Sequence, residues 1–209
     1  MNNAIIFDID GTLWDAREVI TNAWNKAMLE NGLPPKTIDE IEAVLGLTNE
    51  QIMYQMLGEY PDELRDNVFN TCLIMEKEYL NKIGGNLYPD EVEVLQLLAQ
   101  QGFKLMILTN AGPEYVNNYL SHSPAASLFC DSLSNGENGK NKAENIRILM
   151  ERNHIDKACY VGDTIWDQEY SQQAGVPFVW ARYGFGHDLD CEFIIDSFKE
   201  IPEVIKQIF

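Results

Sequence analysis

Positive charge is scarce in this 209-residue chain: 15 Lys and Arg stand against 33 Asp and Glu, a formal net charge of −18 at pH 7. The few cations are scattered and form no basic patch. Nucleic acid and anionic membrane surfaces would be repelled, so neither is expected as a partner. Only four cysteines occur, Cys72, Cys130, Cys159 and Cys191. They are too widely spaced for a CxxC pair or a Cys/His metal cluster, and mostly buried, reduced thiols are expected. The three histidines, His122, His154 and His187, stand alone in loop-like or helix-end positions. No apolar run reaches the ~20 residues needed to span a bilayer. At the N-terminus "MNN" leads straight into strand-like "AIIF" without the basic and apolar regions of a signal peptide. A cytoplasmic protein is expected.

What the chain does have is a series of short apolar runs of the kind that form buried parallel strands. They are "AIIF" at 4–7, "FKLMIL" at 103–108, "ACYV" at 158–161, "PFVWA" at 177–181 and, more weakly, "FIID" at 193–196. Helical patterns separate them at 89–101, 143–153, 167–174 and 199–208. Strand, helix, strand with short turns predicts an α/β sheet with helices on both faces, whose ligands collect at the carboxyl ends of the strands. One interval breaks the alternation. Residues 16–88 show several helical patterns and no convincing strand, far more chain than one crossover needs. An all-helical subdomain over 16–84, inserted into a core formed by 1–15 and 85–209, is predicted, with "GGNLYP" at 84–89 as the return hinge.

Three polar clusters sit at the predicted strand tips. "FDIDGT" ends the first strand with Asp8 and Asp10, "LTNAG" follows the second with Thr109 and Asn110, and "VGDTIWD" follows the third with Asp163 and Asp167. All should converge on one edge of the sheet. Four carboxylates meeting there suit a hard divalent cation, Mg²⁺ being the commonest. Such a cation would offset their repulsion and keep one ionised as a nucleophile. Asp8 is then the candidate nucleophile, and Asp10, two residues on, a candidate general acid and base.

The order "DIDGT", a strand ending in Thr-Asn, a lysine ahead of a helix, and "GDTIWD" resembles the haloacid dehalogenase-like superfamily, in its phosphoglycolate phosphatase-like subgroup, over residues 4 to about 186. The resemblance implies a Rossmann-like core with a helical cap. It also implies a Mg²⁺-dependent phosphatase that forms an aspartyl-phosphate on Asp8, with Asp10 as acid/base and as a metal contact through its backbone carbonyl. Thr109 would bond the phosphoryl group, helped by the backbone of Asn110. Asp163 would bind Mg²⁺ directly, and Asp167 would order the metal's water shell or the lysine. The third motif reads "NGKNKAENI", without the proline common there, and Lys142 is favoured over Lys140 because it directly precedes a helical run.

Other activities of this fold fit less well. A haloalkanoate dehalogenase resembles a pattern lacking the second aspartate, and Asp10 speaks against it. A phosphonate-cleaving enzyme needs a cap lysine of lowered pKa, and Lys26 and Lys36 lack an apolar setting. A sugar phosphomutase keeps both aspartates and stays open, as does a non-catalytic phosphate-binding regulator. The cap offers Asn22, Glu42, Asn49 and Gln51, with few cations besides Arg17 and Arg65, which favours a small phosphorylated metabolite with a neutral leaving group. Trp14 and Trp166 beside the motifs, and Trp180 and Tyr183 in "WARYGFG", are candidate pocket residues. The sequence leaves monomer and dimer open.

Overall fold

The computed structural model describes all 209 residues. In chain order the elements are β1 (Asn3–Phe7), β2 (Trp14–Asp15), α1 (Arg17–Glu30), α2 (Ile38–Glu42), α3 (Asn49–Leu57), α4 (Asp62–Ile83), β3 (Asn86–Leu87), α5 (Glu91–Gln100), β4 (Lys104–Thr109) and α6 (Pro113–His122). They continue with β5 (Phe129–Ser134), α7 (Asn135–Asn138), α8 (Lys142–Arg152), β6 (Lys157–Gly162), α9 (Ile165–Ala174), β7 (Phe178–Ala181), β8 (Phe193–Ile195) and α10 (Ile201–Ile208). Six strands form one parallel sheet in the order β5-β4-β1-β6-β7-β8. The chain runs outward from β1 through β4 to β5, then crosses back to β6 on the other side of β1. That reversal places a crevice at the carboxyl ends of β4, β1 and β6.

Alternation along β1 divides the core between the two faces of the sheet. Ile5 and Phe7 pack with Val94, Leu95 and Leu98 of α5, Tyr115 and Tyr119 of α6, and Ile201 and Ile205 of α10. Ala4 and Ile6 face the opposite way, against Ile146 and Leu149 of α8. Both faces are covered, which is why the strands read as continuous apolar runs.

Between β1 and β4, α1 to α4 form the all-helical insertion. Its centre is the pairing of α1 with α4, where Ile20, Trp24 and Met28 bury against Val68, Phe69 and Cys72, with the Trp24 and Phe69 rings edge to face at 6.0 Å. Full burial of each such side chain is worth about 1.5–3 kcal/mol. Thr37 and Thr48 start α2 and α3 with capping boxes to Glu40 and Gln51.

Several elements differ from the sequence expectation. The segment "GGNLYP" contains β3, which pairs with β2 as a two-stranded antiparallel ribbon, Trp14 opposite Leu87 and Asp15 opposite Asn86. Strand β5 was not anticipated, because "FCDSLS" is half-exposed at the sheet edge and carries polar residues. Helix α6, interrupted by two asparagines, and the one-turn α7 were missed as well. Only Cys72 and Cys159 are buried, while Cys130 is exposed and Cys191 half-buried, so mostly buried thiols was too general an expectation. No helix is long and apolar enough to cross a membrane.

Candidate active site

The carboxyl ends of β1, β4 and β6 deliver Asp8, Thr109 and Asp163 to neighbouring positions. Phe7 is level with Ile107 on one side and Val161 on the other, and the Asp8 amide donates to the Val161 carbonyl at 2.9 Å. Ligand oxygens of Asp8, Asp163 and Asp167 lie within 4.8 Å of one another, and all three residues are buried. Asp10 stands outside that cluster. Its Oδ1 accepts hydrogen bonds from Trp14 Nε1 at 3.2 Å and from the Tyr115 hydroxyl.

Lys142 is the one cation inside. Its Nζ lies 3.1 Å from Asp8 Oδ2 and 2.6 Å from Asp167 Oδ1, with 1 % of the side chain exposed. Asn141 caps α8, accepting from the Glu144 amide at 2.9 Å, and this makes Lys142 the first helical residue. A cation there opposes the helix dipole, so its position is set by the two carboxylates. Lys140 is exposed, and only its backbone is hydrogen-bonded, to the Asn135, Asn138 and Asn145 side chains.

Asp167 is held by its own helix start. In the capping box of α9, Asp167 Oδ2 accepts from the Thr164 amide at 3.0 Å and the Thr164 hydroxyl at 2.7 Å, leaving Oδ1 for Lys142. Asp163 is gripped from "WARYGFG": the Phe185 amide donates to Oδ2 at 2.7 Å and Trp180 Nε1 to its carbonyl at 3.0 Å. Glycines make this closeness possible. A Cβ on Gly11, whose φ is +70°, would stand 2.1 Å from Asp163 Oδ2, and one on Gly184 would stand 2.4 Å from Asp163 Cβ.

Burial sets the protonation balance. It pushes Asp8 up to about 7, with Lys142 pulling the other way and Asp167 and Asp10 adding to the rise. Burial likewise raises Asp10 to about 7, opposed by the Tyr115 hydrogen bond and reinforced by the nearby Glu76. Asp163 lies well above the ordinary carboxylate range through burial and then the charges of Asp167 and Asp8. Burial alone would lower Lys142, yet Asp167 and Asp8 outweigh it and hold the ammonium above its ordinary range. Two carboxylate oxygens, Asp8 Oδ1 and Asp163 Oδ1, are buried without a hydrogen-bond partner, as is the Thr12 hydroxyl. Unpaired buried oxygens on adjacent carboxylates are what a hard divalent cation satisfies. The residues present fit such an ion.

Asp8, Asp10 and Thr109 open onto a narrow cavity of about 30 Å³ closed by Trp24, Asn49 and Glu76 of the helical insertion. A wider cavity of about 310 Å³ lies outside it between α4 and α6, sharing Asn49, Glu76, Ala111 and Tyr115. The Thr109 hydroxyl accepts from the Ala111 amide at 3.1 Å, and the Asn110 side chain donates to the Gly46 carbonyl of the insertion at 2.8 Å.

Of the insertion residues singled out in the sequence, only Asn49 lines this cavity. Asn22 is exposed, Gln51 closes its capping box, Glu42 pairs with Arg17, and Arg65 pairs with Asp62 and Asp66. Trp14 is fully buried against Asp10, whereas Trp166 is 40 % exposed and lines a separate pocket near His187. Tyr183 packs in the core and donates to the Thr12 carbonyl at 2.9 Å. Sequence reasoning missed Tyr115, Glu76 and Phe185, which lie outside the ordered motifs and reach the site only through the fold.

A model of haloacid dehalogenase-like hydrolases matches residues 5–181. The chain belongs to the haloacid dehalogenase-like hydrolase family. Among this hydrolase's relatives, the phosphoglycolate phosphatase of Rhodobacter capsulatus is 29% identical over 195 residues, covering 88% of this chain and 86% of that protein. The phosphoglycolate phosphatase of Aliivibrio fischeri is 25% identical over 217 residues, covering 96% and 95%. The crystal structure of a predicted phosphoglycolate phosphatase from Haemophilus somnus superimposes with a TM-score of 0.90 at 21% identity over 98% of each chain, which shows a shared fold.

Proposed function

We propose that this hydrolase is a Mg²⁺-dependent phosphatase that cleaves a small phosphorylated metabolite through an aspartyl-phosphate on Asp8. The observation that carries the reading is the pairing of Asp8 with Lys142 at 3.1 Å while the other oxygen of Asp8 and one of Asp163 lack partners. The phosphatase names of its relatives support the reaction type. Residues 1–15 and 85–209 form the catalytic core in this reading and 16–84 the cap, joined at the β2–β3 ribbon.

Asp8 Oδ would attack phosphorus as the bond to the leaving alcohol breaks, and Asp10 would give that alcohol its proton. Asp10 would then take a proton from water, whose oxygen attacks phosphorus, releasing phosphate and restoring the Asp8 carboxylate. A carboxyl raised to about 7 suits both exchanges near neutral pH. Trp14 and Tyr115 hold Asp10 in place. The Thr109 hydroxyl, the Asn110 backbone and Lys142 would bind the phosphoryl oxygens. Asp8, Asp163 and the Asp10 carbonyl would hold Mg²⁺, with Asp167 supporting from the second layer through Lys142. When bound, the ion would neutralise charge between carboxylates and phosphoryl oxygens.

The test is hydrolysis of p-nitrophenyl phosphate by the purified protein with Mg²⁺ and with excess chelator. Turnover that needs the metal is expected. Absence of turnover with Mg²⁺, or equal turnover without it, would refute the reading.

A further inference from the structure

Glu76 is the one cap carboxylate on the inner cavity. It projects from α4 toward the cavity that holds Asp8 and Asp10, and it stands close enough to Asp10 to raise its pKa. Its aim is fixed. Trp24 Nε1 donates to Oε2 at 2.7 Å, which leaves Oε1 without a hydrogen bond from the protein. Burial pushes the Glu76 carboxyl up to about 7, against the pull of the Trp24 bond.

No cation balances it. All the charged side chains lining the inner cavity are acids: Asp8, Asp10 and Glu76. Lys142 lies behind them, paired with Asp8 and Asp167, and does not line this cavity. Arg17 is held by Asp15 at 2.6 Å and by Glu42, and its guanidinium lies over the Phe185 ring at 4.5 Å. Lys77 sits on the outer cavity, paired with Glu114 at 3.0 Å.

The inner cavity of about 30 Å³ has room for little beyond the phosphoryl group on Asp8, so the leaving group would pass Asn49 and Glu76 into the outer cavity that shares both residues. Above about pH 7, where Glu76 is ionised, a leaving group with its own carboxylate, as in phosphoglycolate, would meet a like charge with no counter-charge beside it and be disfavoured. An ammonium or hydroxyl would give Glu76 Oε1 the donor it lacks.

We infer that Glu76 sets substrate choice, and that the substrate is a phosphomonoester whose alcohol portion carries an ammonium or hydroxyl donor and no carboxylate. The inference rests on the phosphatase reading above and departs from the substrate in the names of the relatives.

The experiment compares, at pH 8 where Glu76 is ionised, kcat/KM for phosphoethanolamine, glycerol 3-phosphate and phosphoglycolate in the wild-type protein and in Glu76→Gln, with wild-type turnover of p-nitrophenyl phosphate as the reference. Glutamine keeps the size of the side chain and an acceptor for Trp24. Wild type should prefer the better of the first two esters over phosphoglycolate by at least about tenfold, and Glu76→Gln should shrink that ratio at least about fivefold, mainly through KM. The inference is overturned if wild type hydrolyses phosphoglycolate as well as the better of the other two, or if Glu76→Gln changes all three esters by the same factor, as a purely structural residue would. Loss of p-nitrophenyl phosphate turnover in wild type refutes the phosphatase reading itself and the inference with it.

Discussion

Asp167 serves two partners with its two oxygens, Thr164 at the start of α9 and Lys142 across the site. One residue thereby fixes a helix end and positions the cation beside the candidate nucleophile. Removing the shared cation strands two buried carboxylates, and breaking a buried pair typically costs about 3–5 kcal/mol. Lys142→Met should therefore lower the melting temperature measured without metal and cut turnover at least about 10²-fold. Lys140→Met should leave both nearly unchanged, because Lys140 is exposed; equal effects in the two variants would contradict the assignment. The positions of Asp8, Thr109, Lys142, Asp163 and Asp167 at the candidate site were legible because each ends or directly follows a strand or lies in the first turn of a helix, where local pattern and position coincide. Tyr115, Glu76 and Phe185 were not. Tyr115 meets Asp10 across 105 positions of chain, and no short-range signal encodes that contact.

At the scale of elements, buried strands and long amphipathic helices were legible, since parallel strands covered on both faces leave continuous apolar runs. The edge strand β5 and the two-residue ribbon of β2 and β3 were not, because half-exposure and short length erase the pattern. Glu91 shows what an element can hide. It opens α5 with 1 % exposure, accepts hydrogen bonds from Tyr119 and Ser123, and is pushed up to about 7, chiefly by burial. A carboxyl whose folded-state pKa is raised stabilises the fold most at low pH, and that contribution is lost as pH rises from its unfolded value of about 4.3 through about 7. A tenfold change in proton affinity corresponds to about 1.4 kcal/mol, so the whole effect is about 4 kcal/mol. Glu91→Gln should raise the melting temperature at pH 8 relative to wild type and flatten its fall between pH 5 and pH 8. Parallel melting curves for the two proteins across this range would contradict the account.

Over the whole molecule, a net charge of −18 surrounds a site in which Asp8, Asp163 and Asp167 crowd together beside a single lysine, with Asp10 buried next to them. A divalent cation would relieve that crowding, so Mg²⁺ at a hundredfold excess over its dissociation constant should stabilise the fold by about 2.7 kcal/mol. For a chain of this size that is a rise of roughly 5–10 °C in melting temperature. Asp163→Ala should abolish most of the rise, and a wild-type shift in that variant would place the ion elsewhere. The most direct measurement of the central claim is the turnover of p-nitrophenyl phosphate with saturating Mg²⁺ by Asp8→Asn, on protein shown by its circular dichroism to be folded. Asparagine keeps the size of the side chain and removes the attacking charge, so the rate should fall at least about 10³-fold; a rate within tenfold of wild type would contradict Asp8 as the nucleophile.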